Sequence, residues 1–225
     1  MAKMTVKGCM DAALRLLNQY SIAGTIVPPS YNDQQDDLNR MIDLINDAQM
    51  QIATTSRPIP AFIEIEVPEI ENSVPTKEIQ TKMPEDFLAP KAVLFTPKEK
   101  GRRPQITIEA PYYKWFDNDI LLVLNRPAGT YRAEYQRAPY RIDPIKVMQG
   151  SENLLNAELD NTVDTHPAIP YYVAAMIALD QNPKVYYALY NKWETELSRM
   201  GYRPPHATAQ PVMDMYGFDH FTGVW

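Results

Sequence analysis

The chain has 225 residues, 45% hydrophobic and 22% charged, close to the average of folded proteins and unlike a disordered chain. That length holds one large domain or two small ones with ample core. A formal net charge of −6 argues against a sequence-independent grip on DNA or anionic membrane, which needs clustered Lys and Arg. It leaves open a DNA-facing surface along which the polymer slides.

Proline is high at 20 residues and glycine low at 8, which favours stiff extended connections over flexible ones. The single cysteine, Cys9, excludes an internal disulfide and lies on an apolar helical stripe, where a buried thiol is expected. Lys7, Asp11 and Arg15 interrupt the first twenty residues, so no signal-peptide core is visible there. No run approaches the ~20 apolar residues of a membrane span. The expectation is a protein made and soluble in a cytoplasm.

Residues 5–20 read as an amphipathic helix with Val6, Cys9, Met10, Ala13, Leu14, Leu16 and Leu17 on its apolar side. The Pro28–Pro29 pair then keeps a loop extended. "YNDQQDDLNRMIDLINDAQMQIATTS" is the clearest helix. Leu38, Met41, Ile42, Ile45, Ala48 and Ile52 recur at helical spacing, Asn32 or Asp33 is the expected cap, and Arg57–Pro58 ends it.

From 58 to 144 the period changes to two, and twelve of the twenty prolines fall there. "FIEIEV" sets Ile63, Ile65 and Val67 against Glu64 and Glu66. "EIQTKM" and "QITIEA" alternate less cleanly. "DILLVLN" and "TYRAEYQRA", joined through "RPAG", predict a hairpin in which Gly129 takes positive φ and Tyr131, Ala133 and Tyr135 face the core. Short strands with proline-bounded corners imply a small antiparallel sheet or sandwich.

Residues 145–164 are weakly patterned and read as a loop with one uncertain strand. "THPAIPYYVAAMIALDQNPKVYYALYNKWETELSRMG" predicts a helical hairpin. Thr165 caps its first helix; Pro167 and Pro170 fall near the first turn. In the second, Asn182 is the cap, Pro183 the start and Gly201 the stop, with Val185, Ala188, Leu189, Trp193, Leu197 and Met200 as the stripe. The expected architecture is α+β. A helical bundle forms from the N- and C-terminal helices, carries a central antiparallel β insertion and ends in an extended C-terminal tail. The divisions are 1–57 for the first helices, 58–144 for the insertion, 145–200 for the loop and closing hairpin, and 201–225 for the tail.

That tail, "GYRPPHATAQPVMDMYGFDHFTGVW", holds three prolines, five aromatic residues and three formal charges, with neither a helical nor a strand period. It reads as a segment that finds its partner on another molecule.

The residues give little support to catalysis. His166 precedes a proline at a helix start, where capping or hydrogen bonding is expected. His206 and His220 lie in the tail, and Asp219 beside His220 makes a poor chelate. Asp43 and Asp47 share a helix face as a hydrated pair, and Asp36–Asp37 and Glu85–Asp86 add acids without a metal-ligating pattern. "KEKGRRP" lacks phosphate-loop spacing and reads as a charged hairpin tip. No nucleophile-elbow or kinase signature occurs. No enzyme, cofactor or metal site is expected. The aromatic groups "YYKWF" (112–116), "YY" (171–172) and "YYALY" (186–190) combine apolar bulk with a polar edge, as core or as contact surface.

The order of elements, "KMPEDFLAPKAVLF" after a strand, and the Tyr171–Asp180 run followed by a Tyr-rich last helix together resemble the head-to-tail connector adaptors (head completion proteins) of tailed bacteriophages. The resemblance covers most of residues 5–200. It implies a homo-oligomeric ring, twelve-fold in that family, between the portal protein and a downstream tail or nozzle protein. Such a ring completes the DNA-filled head, and DNA passes its lumen without specific binding. The location implied is the virion neck, after assembly in the host cytoplasm and without a membrane. The C-terminal extension would dock on the portal through Tyr216, Phe218, Phe221 and Trp225, and Asp36, Asp37, Asp43 and Asp47 are the candidate channel lining. The large β insertion departs from the minimal helical adaptor. The alternative is a tail or baseplate ligand-binding module with "YYKWF" lining a saccharide or peptide groove.

Overall fold

The computed structural model describes residues 3–20, 35–67, 79–97, 107–110, 113–116, 119–122, 128–144, 146, 155–179 and 181–201. Within them run α1 (Val6–Tyr20), α2 (Gln35–Thr55), β1 (Ile59–Val67), β2 (Ile79–Lys82), β3 (Phe87–Pro97), β4 (Ile108–Glu109), β5 (Tyr113–Phe116), β6 (Asp119–Leu122), β7 (Gly129–Arg137), α3 (Ile169–Ala178) and α4 (Pro183–Arg199). The fold is mixed α+β.

The helices share one hydrophobic core. Val6, Cys9, Met10, Ala13 and Leu17 of α1 meet Met41, Ile42, Ile45, Ala48 and Ile52 of α2 there, at the spacing the sequence sets. Eight of the ten residues of α3 are buried, and its sides touch α1, α2 and α4. A helix apolar all round belongs in the middle of such a layer, and α3 occupies that place. Trp193 of α4 is fully buried, its ring 5.2 Å from that of Tyr172. Asn182 Oδ1 accepts the N–H groups of Lys184 and Val185, Pro183 opens α4, and Gly201 leaves it at φ 79°.

Thr165 is not a cap. Residues 162–168 form successive turns, with Thr165 N–H donating to Thr162 O and Ala168 N–H to Thr165 O. The helix therefore starts at Ile169 behind Ala168, and the Thr165 hydroxyl donates to Thr162 O. The segment before these turns pairs with the N-terminus. Thr5 and Glu158 form an antiparallel bridge, with Val6 N–H on Ala157 O and Leu159 N–H on Met4 O, both 2.9 Å.

The strands form two antiparallel sheets, ordered β1-β7-β3-β4 and β2-β6-β5. They close over a second core of Ile65, Val67, Val93, Phe95, Tyr131, Ala133 and Tyr135 from the larger sheet, with Ile120 from the smaller. The inward facing of Tyr131, Ala133 and Tyr135 follows the alternation in the sequence.

Three expectations fail here. The β6–β7 hairpin does not exist: β6 pairs with β2 and β5, and β7 with β1 and β3. Two strands adjacent in sequence serve opposite sheets, because each presents its apolar face to the same core from another side. Gly129 does not take positive φ; among the described glycines only Gly201 does. Gly129 is needed for close approach, since a Cβ there would stand 2.3 Å from Thr96 O and 2.7 Å from the Phe95 ring. The principal strands are not short either. β1 and β7 run nine residues and β3 eleven, passing through Pro90, where register shifts at Phe87/Ala89 and Pro90/Ala92 absorb the missing N–H.

Candidate functional site

Sheet and helices meet at a polar junction built by α2. Asn46 uses both ends of its amide on Ile142, accepting the Ile142 N–H at 3.0 Å and donating to its carbonyl at 2.8 Å. One helical turn on, Gln49 Oε1 accepts the Asp160 N–H at 2.9 Å, and the Gln49 carbonyl accepts Asn161 Nδ2 at 3.1 Å. These i, i+3 amides hold the backbone at Ile142 and at Asp160–Asn161 against the helix. Arg137, the last residue of β7, makes a bidentate pair with Asp160 at 2.6 and 2.8 Å, the side chains only 15% and 17% exposed. Burial pushes the Asp160 carboxyl up. The opposing bonds from Arg137 and from the Tyr140 N–H, with the guanidinium charge, win and hold it below the ordinary carboxylate range. The same hydrogen bonding raises Arg137 against the effect of burial.

His166 belongs to this junction. Its Nδ1 accepts the Met4 N–H at 3.0 Å, so the ring carries its proton on Nε2, which donates to Asn161 O at 2.9 Å. Both nitrogens are occupied in a buried place, which fits the hydrogen-bonding role read from the sequence. Through these bonds the junction ties the N-terminus and the 160–166 segment to α2 and the end of β7. Among the described residues no three His, Cys, Asp or Glu side chains gather as a metal site. Burial pushes the Cys9 thiol far above its ordinary range.

Two grooves flank α2. The first, of about 310 Å³, lies between its last turns (Gln51, Thr55) and α4, where Trp193 and Leu197 form the floor and Tyr190, Glu194 and Ser198 the rim. Gln51 Nε2 donates to Tyr172 Oη at 2.9 Å, and the rings of Tyr186 and Tyr190 stack at 5.4 Å along the approach. The second, of about 200 Å³, runs past Asp43, Asn46, Asp47 and Met50 to Pro139, Tyr140 and Arg141. It is acidic in part only, because Arg141 stands 3.5 Å from Asp43.

No family model and no curated protein matches the chain.

Of the candidate channel acids, Asp36, Asp37, Asp43 and Asp47 all lie on α2; Asp43 is half-buried and Asp47 exposed. Tyr216, Phe218, Phe221 and Trp225 lie outside the described residues, as do His206, His220, the "KEKGRRP" tip and the expected caps Asn32 and Asp33. In "YYKWF", Tyr113 and Trp115 are half-buried against the sheet core. The Trp115 ring lies 6.0 Å from that of Phe87 and 6.4 Å from that of Tyr113. Arg137, Asp160, Asn46 and Gln49 were not singled out from the sequence. The usable signal was two amides three apart beside the apolar stripe of α2.

Proposed function

We propose that this chain is a head-to-tail connector adaptor of a tailed phage, a non-enzymatic ring subunit set between portal and tail. In this reading helices from both ends of the chain form a helical bundle that carries the β insertion. The extended tail, residues 201–225, docks on the portal through Tyr216, Phe218, Phe221 and Trp225. Head-to-tail copies close around the axis. The acids of α2 face the lumen, where like charge keeps DNA moving.

The observation that carries the reading is the meeting of α1 and α2 with α3 and α4 around one core, all strands lying between them in sequence. That is the element order on which the resemblance rests. An aromatic, proline-stiffened stretch beyond Gly201 suits docking: stiffness limits the entropy lost on binding, and buried rings supply contact area. The packing of Trp115 between Phe87 and the edge-on Tyr113 counts against a saccharide groove, which needs the ring faces open.

The test is to mix the chain with its portal and look for a ring by electron microscopy, then repeat with residues 206–225 removed. The shortened chain is expected to keep its circular dichroism and lose the portal. Loss of the fold on truncation, or portal binding that survives it, refutes the proposal.

A further inference from the structure

His166 joins the N-terminal segment to the turns that precede α3. Its Nδ1 accepts the Met4 N–H at 3.0 Å, and its Nε2 donates to the Asn161 carbonyl at 2.9 Å. The Met4 carbonyl in turn accepts the Leu159 N–H, the Ala157 carbonyl accepts the Val6 N–H, and Thr5 bridges to Glu158. Thr5 stands just ahead of α1, and its Oγ1 accepts the Gly8 N–H at 3.1 Å as a cap. The ring is 2% exposed, so a partner lost here is not simply exchanged for solvent.

The two bonds of the ring respond differently to a proton. A backbone N–H can only donate, so Nδ1 must turn a lone pair towards Met4. The Asn161 carbonyl accepts from Nε2 whether the ring is neutral or charged. Protonation therefore leaves the ring on its own segment and sets an N–H against the Met4 N–H. The Asn161 tie is local, five residues away, whereas the Met4 tie spans 162 residues, so Met4 is the side that leaves.

We infer that His166 is an acid-released latch: its neutral ring holds residues 3–5 against residues 157–159, and its protonation frees them and loosens the cap of α1. The carboxylates on the surrounding segments do not stand free to balance an imidazolium. Glu158 pairs with Lys3 at 3.4 Å, Asp160 with Arg137, and Asp164 with Arg57 at 3.2 Å. α2 offers the neutral Gln49 to this place, α3 carries no charge, and Lys7 of α1 is exposed. Opening lets the ring bind a proton. The closed form is thus favoured above the range of an ordinary histidine, about pH 6.5, and gives way as the pH falls through it. The latch acts within one chain and does not depend on the connector reading.

Amide hydrogen exchange on the full chain tests this, with each rate divided by that of a free amide at the same pH. Between pH 7.5 and pH 5.0 protection at Met4, Val6 and Leu159 is expected to fall together by about tenfold or more, while Ile45 in α2 keeps its own. His166→Asn places a side-chain oxygen where Nδ1 stood, an acceptor that does not titrate, and should hold all three amides to within about twofold over the same range. Nitrogen spectra of the natural His166 ring give a reading that needs no variant. At pH 7.5 the proton should sit on Nε2 with Nδ1 bare, and the second proton should arrive as Met4 loses protection. Protection that stays within about twofold in the natural chain overturns the inference, as does a loss shared equally by Ile45. So does an equal acid loss in His166→Asn, or a ring that gains its second proton while the Met4 amide stays protected. Portal binding enters neither measurement, so its failure leaves this result unmoved.

Discussion

Replacing Arg137 by alanine removes the tie between the end of β7 and the segment that leads into α3. A fully buried ion pair deprived of one partner costs about 3–5 kcal/mol, and an exposed one about 0–1 kcal/mol. At 15% and 17% exposure the Arg137–Asp160 pair lies near the buried end, but Asp160 keeps the Tyr140 N–H at 2.9 Å after the change. The expected loss is therefore about 2–3 kcal/mol, or roughly 4–12 °C in Tm for a chain of this length. A cycle with Asp160→Ala should return a coupling energy above about 1 kcal/mol in urea titrations. Fluorescence of Trp115 with Trp193 and Trp225 replaced by Phe reports the sheets, and far-ultraviolet ellipticity the helices. The two transitions should coincide in the natural chain and separate in Arg137→Ala. The Asp160 carboxyl is held low in the fold, so its contribution is complete above the ordinary carboxylate range and fades as pH falls through and below it. Coupling below about 0.5 kcal/mol, with coincident transitions in the variant, would refute the role given to the junction.

Gly129→Ala should lower stability by about 1–3 kcal/mol in thermal melts, because its Cβ meets the Thr96 carbonyl and the Phe95 ring. A loss under about 0.3 kcal/mol would mean that β3 and β7 slide apart freely. Asn182→Ala should cost about 1 kcal/mol by removing the side-chain acceptor of the Lys184 and Val185 N–H groups, and Asn182→Asp should recover most of it. Cys9 should resist a thiol reagent at pH 8 in the folded chain and react fully in guanidinium, since burial disfavours its thiolate. Full labelling within minutes under native conditions contradicts that placement.

The helices were legible in the sequence because their buried faces repeat at one period and their ends carry strong punctuation at Asn182, Pro183 and Gly201. The sheets were legible strand by strand but not in their pairing. Alternation tells which side of β7 is buried, and nothing in it says whether β6 or β3 lies alongside. β3 was hidden by Pro90, which argues against a strand unless a bulge accommodates it. Thr165 was misplaced because a Thr before an apolar run signals a cap, while the turns of residues 162–168 use its backbone instead. Gly129 was assigned the right importance for the wrong reason: crowding against β3, not a turn, demands the missing side chain. The Arg137–Asp160 contact joins a strand end to a loop, and neither location carries a periodic signal.

The hydrogen bond from Met4 to His166 spans 162 residues. At about 5–20 residues per second of synthesis, the first helix waits roughly 8–30 s on the ribosome for the histidine and the helix that shelter it. During that interval the strand region, whose longest pairing in the larger sheet closes between Ile59 and Arg137, is already complete. The residues of the sheets are thus all synthesised before α3 and α4, and the apolar side of residues 6–20 cannot be fully covered until those last helices have been made.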